Sequence, residues 1–233
     1  MSQRFFLESL IGASATARLR DAEAQHLAKV MRAKMGDAVT LFDGSGWEFT
    51  GRVLEIGKVV ELEIVERRQI DRELPHALTL AVSLPKGDRQ KVLVEKLVEL
   101  GVTRLIPLEA KRSVAEATPA ALARLRRQVI EACKQCGRNR LMEIAEPVQI
   151  EQLLAQAAPP SQRRVLAHPS GKPWKDSATQ DTIAAVGPEG GFTDDEAAAA
   201  QATGWEIVSL GPRILRIETA AIALSALLAK QSE

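Results

Sequence analysis

Two segments hold residues whose types and spacing could do chemistry. The first is AVGPEGGFTDDE, residues 185–196. An apolar stretch ends at Val186, and Gly187, Gly190 and Gly191 then permit tight or left-handed backbone and let a ligand approach the main chain closely. Thr193 and Glu196 have the spacing of a capping box, so a helix begins directly after the turn. The second is SLGPRILRIETAAIALSALL, residues 209–228. A Gly-Pro pair again follows a strand, and Arg213, Arg216 and Glu218 are interleaved with Ile214, Leu215 and Ile217 where a helix starts. That mixture suits an apolar slot of adenine size with polar anchors. A turn from the carboxyl end of a strand to a helix N-terminus is where ligands bind in open α/β sheets. Each segment has a plainer alternative: a sharp turn with no ligand for the first, solvated arginines over a packed core for the second. Two such turns in one sheet favour one shared site. Neither has the GxGxxG spacing of a dinucleotide fingerprint or the GxxxxGK(S/T) spacing of a Walker phosphate loop.

The other chemistry-bearing residues say less. Cys133 and Cys136 form a CxxC pair, but it falls inside a predicted helix and no second CxxC or HxxxH exists to complete a zinc site, so no metal is expected. His26, His76 and His168 are scattered, and only His168, in LAHPSG (166–171), lies where a ligand would pass. Trp47, Trp174 and Trp205 are isolated and make no stacking platform. Residues 124–140 hold Arg124, Arg126, Arg127, Lys134, Arg138 and Arg140 against the single acid Glu131. Like charges so close call for an external anion, and a polyanion such as RNA is favoured over a solvated helix face.

These residues need elements to position them. Before residue 67 the chain reads as short strands, AVTLFD (38–43), WEFTGRVLEI (47–56) and VVELEIVE (59–66), with one helix over 21–33. That pattern suggests a small β-barrel. RRQIDRELPH (67–76) reads as a linker, dividing the chain into domains at 1–70 and 74–233. Beyond it strands alternate with helices. LTLAVSL (78–84) is followed by a helix capped by Asp88, which runs to Leu100 with Val94, Leu97 and Val98 on one face and Gly101 past its end. TRLIPL (103–108) precedes a helix from Pro119 to Cys136, ended by Gly137. RRVLAH (163–168), TIAAV (182–186) and EIVSL (206–210) read as buried strands, with helices near 194–203 and 218–230. The alternation predicts an α/β fold with a mostly parallel sheet covered on both faces.

Bulk properties set limits. At 233 residues and 45% hydrophobic content the chain can build a real core, but with 3% aromatics and no tyrosine that core must rest on Leu, Val, Ile and Ala. A net charge of +1 means that any RNA contact must come from local clusters. No apolar run reaches membrane-spanning length and the N-terminus lacks a signal-peptide pattern, so no membrane partner is expected. Two cysteines without a targeting segment predict a reducing cytoplasm.

On VGPEGGF (186–192), LGPRILRIETA (210–220), LPKGDRQKVLVEKLVELGV (84–102), EACKQCGRNRLMEI (131–144) and MRAKMGDAVTLFDGSG (31–46), the chain resembles the RsmE family of 16S rRNA (uracil-N3)-methyltransferases, of the SPOUT superfamily. The motifs span nearly the whole chain in the family's order. Departures are Cys133 in place of a small apolar residue and Ile217 in place of a polar one. The resemblance implies a PUA-like β-barrel followed by a SPOUT domain whose parallel sheet ends in a C-terminal trefoil knot. It implies a homodimer, with S-adenosylmethionine held among 166–171, 186–192 and 210–220. The implied cofactor contacts are Leu166, His168, Gly187, Pro188, Glu189, Gly190, Gly191, Leu210, Gly211, Ile214, Leu215 and Thr219. Bulk at Gly190 should block the cofactor or force a poor backbone angle.

The implied reaction forms 3-methyluridine in 16S rRNA of the 30S subunit, near the decoding region. It requires loss of the N3 proton or stabilisation of the resulting anion, and no metal. Arg216 is expected to favour the anion, with Glu218 orienting Arg216 or accepting a proton; the alternative for Glu218 is a carboxylate that only favours the helix N-terminus. RNA contacts are expected from Arg4, Arg18, Arg20, Arg32, Lys34, Lys86, Arg89, Arg112, Arg124, Arg127, Arg138 and Arg140. Two rivals are a non-catalytic ribosome-assembly factor on the same fold, which would leave the glycine-rich loops without a role, and a dehydrogenase, which the missing GxGxxG disfavours.

Overall fold

The computed structural model describes residues 4–157, 159–174 and 179–230. The chain forms two units, Met1–Glu73 with Cys133–Leu141, and Leu74–Ala132 with Met142–Glu233. The segment 133–141 thus belongs with the N-terminal unit, although in sequence it lies deep inside the second predicted domain.

In the first unit, β1 (Arg4–Phe6), β2 (Thr16–Leu19), β3 (Ala38–Phe42), β4 (Trp47–Ile56) and β5 (Val60–Gln69) form one sheet in the order β1-β3-β4-β5-β2. β3, β4 and β5 are antiparallel neighbours, as the alternating pattern predicts, while β1 joins β3 in parallel. The predicted linker is partly strand, since β5 continues to Gln69. The predicted helix is α1 (Asp21–Gln25) continued by a π-helical turn, His26–Val30, in which the Met31 amide bonds the His26 carbonyl. Phe5, Leu19, Leu27, Leu41, Phe49, Val53 and Leu62 fill this unit's core.

The second unit is built on a parallel sheet of β6 (Leu78–Val82), β7 (Arg104–Glu109), β8 (Glu143–Ile144), β9 (Val148–Gln149), β10 (Arg163–Pro173), β11 (Thr182–Val186) and β12 (Glu206–Ser209). The order is β12-β10-β11-β6-β7-β8, with β9 also on β7. All five residues of β11 are buried, which is why TIAAV shows no alternation. α2 (Arg89–Glu99), α3 (Pro119–Cys136), α4 (Ile150–Ala155), α5 (Asp194–Ala202) and α6 (Ile217–Ala229) complete the fold. Leu93, Val94, Leu97 and Val98 are the buried face of α2.

Asp88 does not cap α2. It has helical φ and ψ and makes no side-chain cap bond, because Gly87 (φ +65) has already turned the chain and the Gln90 amide bonds the Gly87 carbonyl. Thr193 does cap α5: its side chain accepts from the Glu196 amide, and Glu196 reaches back to the Thr193 amide. Among the described residues no helix is long and apolar enough to cross a membrane.

Candidate active site

Parallel registry sets Ala167 of β10 beside Val186 of β11 and Val208 of β12, so the irregular stretch of β10 after Ala167 and the turns after β11 and β12 begin side by side. The segments beginning there line a cleft of ≈ 210 Å³. β10 contributes Ala167, His168 and Pro169. The turn after β11 contributes Gly187, Pro188, Glu189, Gly190, Gly191 and Phe192. The turn after β12 contributes Leu210, Gly211, Arg213, Ile214 and Leu215, with Ile217 and Ala220 from α6. These are the three segments singled out by glycine spacing and by resemblance, brought together around one space.

Ten of the residues expected to hold the cofactor line the cleft. Leu166 and Thr219 do not. Leu166 is fully buried within the apolar core, one residue too early in β10 for its side chain to face the cleft. Thr219 is exposed in the first turn of α6 and outside the cleft lining. Ala167, Pro169, Phe192 and Ile217, inside the expected segments but not among the expected contacts, line the cleft as well. Their small or apolar character carried no signal, and only the strand register reveals them.

Backbone conformation corrects the reading of the glycines. Left-handed φ falls at Gly191 (+69) and Gly211 (+120), not at Gly190. A Cβ on Gly190 would meet the stem of Arg112, its Cδ at 3.0 Å and its Cβ at 3.3 Å. Arg112, expected on RNA, donates from Nη1 to the Gly190 carbonyl at 2.7 Å and braces the turn from outside.

Behind the turn, Glu196 carries more than a cap. Its Oε1 accepts from the Lys111 amide at 2.9 Å, while Oε2 accepts from the amide and hydroxyl of Thr193 at 2.6 and 3.0 Å. Burial works to raise this carboxyl's pKa; the Lys111 and Thr193 hydrogen bonds, with the charge of Arg112, outweigh it and hold it below the usual carboxylate range.

Next to the cleft lies a second cavity of ≈ 430 Å³, lined by Arg89, Glu189, Ile214, Leu215 and Arg216. Arg216 occupies the N-cap position of α6 and is exposed. Glu218 is 8% exposed, and its Oε2 accepts no hydrogen bond. The cation beside that oxygen is Nη1 of Arg89 at 3.8 Å, an ion-pair distance beyond hydrogen-bond reach. No ion pair joins Arg216 to Glu218 among the described residues, so the expected Arg216–Glu218 pair is replaced by Arg89–Glu218. Arg89 also holds Glu189 at 2.6 Å. Its sequence distance from both loops hid this role.

The basic residues sort into two groups. Arg4 and Arg138 are buried, at 7% and 3% exposure, and cannot reach a phosphate. Arg4 pairs with Glu48 and donates to Asn139 Oδ1 at 2.7 Å, while Arg138 pairs with Glu73. Arg124 donates to Gln90, Arg126 pairs with Glu146, and Lys134 pairs with Glu23. The 124–140 cluster therefore takes much of its counter-charge from Glu23, Glu73 and Glu146, and its charge count alone does not call for an external anion. Arg18, Arg20, Arg32, Lys34, Lys86, Arg127 and Arg140 are exposed, Arg18 with Glu61 at 2.9 Å. Burial pushes the Cys133 thiol up to about 12, so it carries no thiolate for redox or metal chemistry near neutral pH.

A parallel sheet whose three loops converge on a cleft of main-chain and apolar groups, with guanidinium groups at its rim, defines an α/β ligand-binding domain. The sequence matches the RNA methyltransferase domain family over residues 72–229, and the RNA methyltransferase PUA domain family over residues 19–63. It is 35% identical to the ribosomal RNA small subunit methyltransferase E of Synechocystis sp., across 88% of this chain and 70% of that protein. The fold is similar to a methyltransferase from Legionella pneumophila solved in complex with S-adenosylmethionine, at 31% identity and a TM-score of 0.89 over 97% of this chain and 96% of that one. It is also similar to a ribosomal RNA small subunit methyltransferase E from Neisseria gonorrhoeae bound to S-adenosyl methionine, at 32% identity and a TM-score of 0.86 over 97% of this chain and 96% of that one. The chain belongs to the RsmE family of ribosomal RNA small subunit methyltransferases.

Proposed function

We propose that this protein methylates N3 of a uridine in 16S rRNA of the small ribosomal subunit, with S-adenosylmethionine as donor. The observation that carries the reading is the convergence of the three loops on one cleft. The cleft fits the adenosine part of that cofactor. Its lining is apolar side chains and glycine main chain, Gly191 and Gly211 hold conformations that suit glycine, and two structural relatives bind the same compound. The bound cofactor supplies a methyl group on a cationic sulfur, which keeps the C–S bond pair on transfer.

What remains for the protein is to align N3 and to ease loss of its proton. The main chain around Gly187, Gly190, Gly191, Leu210 and Leu215 holds the adenosine. Arg216, at the mouth of the second cavity, stabilises negative charge developing on the base as the N3 proton leaves to water. Glu218 supports that charge balance from within. The exposed Arg18, Arg20, Arg32, Lys34, Lys86, Arg127 and Arg140 are the side chains available for phosphates.

In this reading the N-terminal sheet with α1 is the PUA-like barrel, the loops around β10–β12 form the trefoil knot, and the enzyme works in the cytoplasm as a homodimer on the 30S subunit without a metal. The test is transfer of labelled methyl to small subunits lacking the modification, followed by nucleoside analysis. Formation of 3-methyluridine is the expected result. Cofactor binding with no transfer would move the reading to another RNA target, and no cofactor binding would favour the assembly-factor alternative.

A further inference from the structure

We propose that Arg89 is a second base-gripping residue: with Arg216 it makes the ≈ 430 Å³ cavity a pocket for the acceptor uracil, one guanidinium for each carbonyl flanking N3. The inference rests on the uridine-N3 reading above and deepens it.

The first support is adjacency. This cavity and the cofactor cleft share Glu189, Ile214 and Leu215. Two ligands that exchange a group must bring their reacting atoms to roughly 3–3.5 Å, so donor and acceptor sites have to adjoin. Ile214 stands on the shared boundary 93% exposed. A side chain so free of packing within the chain offers an apolar ledge to a planar ring.

The second support is hydrogen-bond complementarity. The N3 edge of uracil reads acceptor, donor, acceptor: a carbonyl oxygen, N3–H, a second carbonyl oxygen. A guanidinium only donates and a carboxylate only accepts. Arg89 and Arg216 at one cavity supply a donor for each carbonyl oxygen and leave the N3 position between them open to the methyl group, while Glu189 stays paired to Arg89. Cytosine has no proton on N3 and carries an amino group in place of one carbonyl. It would leave one arginine facing a donor, so the same pair rejects it. As N3 loses its proton, charge spreads onto both oxygens, and both arginines bind more strongly then than in the ground state.

The third support is how Arg89 is held. Nη2 pairs with Glu189 Oε1 at 2.6 Å, and Nη1 stands 3.8 Å from the buried Glu218 Oε2, which accepts no hydrogen bond. A buried carboxylate oxygen left unbonded is costly. Its value here is to fix a cation nearby without consuming that cation's donors, which remain for the base. Glu218 is then a positioning residue acting through Arg89.

The experiment uses the full-length protein, small ribosomal subunits lacking the modification and labelled S-adenosylmethionine. It compares wild type with Arg89→Ala, Arg89→Lys and Glu218→Gln for kcat, KM for the subunits and cofactor Kd, from neutral to alkaline pH. Arg89→Ala is expected to lower kcat about 100-fold with cofactor Kd within about twofold. The deficit should shrink as alkaline pH ionises N3 unaided, and added guanidinium ion should restore part of the rate. Arg89→Lys, which keeps the charge, should fall between. Glu218→Gln should lose about tenfold in kcat. A kcat for Arg89→Ala within about threefold of wild type at every pH overturns the proposal. So does a loss of cofactor affinity that accounts for the lost rate, which would make Arg89 only a brace for Glu189. Wild type that forms no 3-methyluridine overturns the uridine-N3 reading itself, and this proposal with it.

Discussion

The two glycine-proline turns are alike in sequence and opposite in construction. The turn after β11 is tied down on all sides: Arg112 on the Gly190 carbonyl, Arg89 on Glu189, Phe192 buried, and Glu196 joining Thr193 to the Lys111 amide. The turn after β12 leaves Gly211, Pro212, Arg213, Ile214 and Arg216 exposed, with a 3.3 Å bond from the Ser209 hydroxyl to the Gly211 carbonyl. One is a floor assembled before any ligand arrives, and the other is a wall that the ligands complete. Binding energy is not spent on ordering the floor, whereas the wall can couple cofactor and acceptor.

The contrast can be broken most severely at the anchor both turns share. Ala167 and Lys172 both pair with Val208, so residues 168–171 bulge out of β10 around it. A Cβ on Gly171 would lie 2.4 Å from the Val208 carbonyl carbon. Gly171→Ala is expected to cost about 3 kcal/mol or more, or to prevent folding, as read by urea melts. A stable Gly171→Ala protein would mean that β10 and β12 can move apart.

A smaller effect is expected at Gly211. Its φ of +120 disfavours any other residue, but a Cβ there meets nothing within 4 Å. Gly211→Ala should cost about 1–3 kcal/mol of backbone strain, expressed as weaker cofactor binding if the exposed wall yields, or as a lower Tm if it does not. Calorimetry against S-adenosylmethionine and a thermal melt separate the two.

The floor is sharpened by pH. Because the folded pKa of Glu196 lies below its ordinary 4.5, its stabilisation is present above that value and lost as pH falls through the folded one. Glu196→Gln should therefore be about 1 kcal/mol less stable than wild type near neutrality. The two denaturation curves should converge in acid. Smallest for stability is Ile214→Ala, since a side chain 93% exposed contributes nothing to the core. Its Tm should stay within about 1 °C of wild type while KM for the ribosomal subunit rises severalfold.

The floor and wall were legible in the sequence because glycines, a capping box and strand ends are local signals. Apolar runs marked the parallel strands, while the register that gathers their loops shows only in the structure. What was not legible depends on partners far along the chain. Nothing near Arg138 announces Glu73, and nothing near Arg89 announces Glu189 or Glu218. The basic run 124–140 looked unneutralised for the same reason. β1, β2, β8, β9 and α4 were missed because two to six residues carry too little periodicity. Gly187, Gly190 and Gly191 read alike as turn glycines, and only backbone angles show that Gly191 is the left-handed one.

The segment Cys133–Leu141 has a consequence for synthesis. Arg4 is buried against Asn139, the Gly46 amide bonds the Asn139 carbonyl, and Arg138 meets Glu73. A chain emerging from the ribosome presents Arg4 early and these partners more than 130 residues later. The N-terminal unit therefore cannot mature when its own strands have been made. Glu48 can take the Arg4 guanidinium early, but its Asn139 acceptor waits until the long helix α3 and the turn beyond it have been translated.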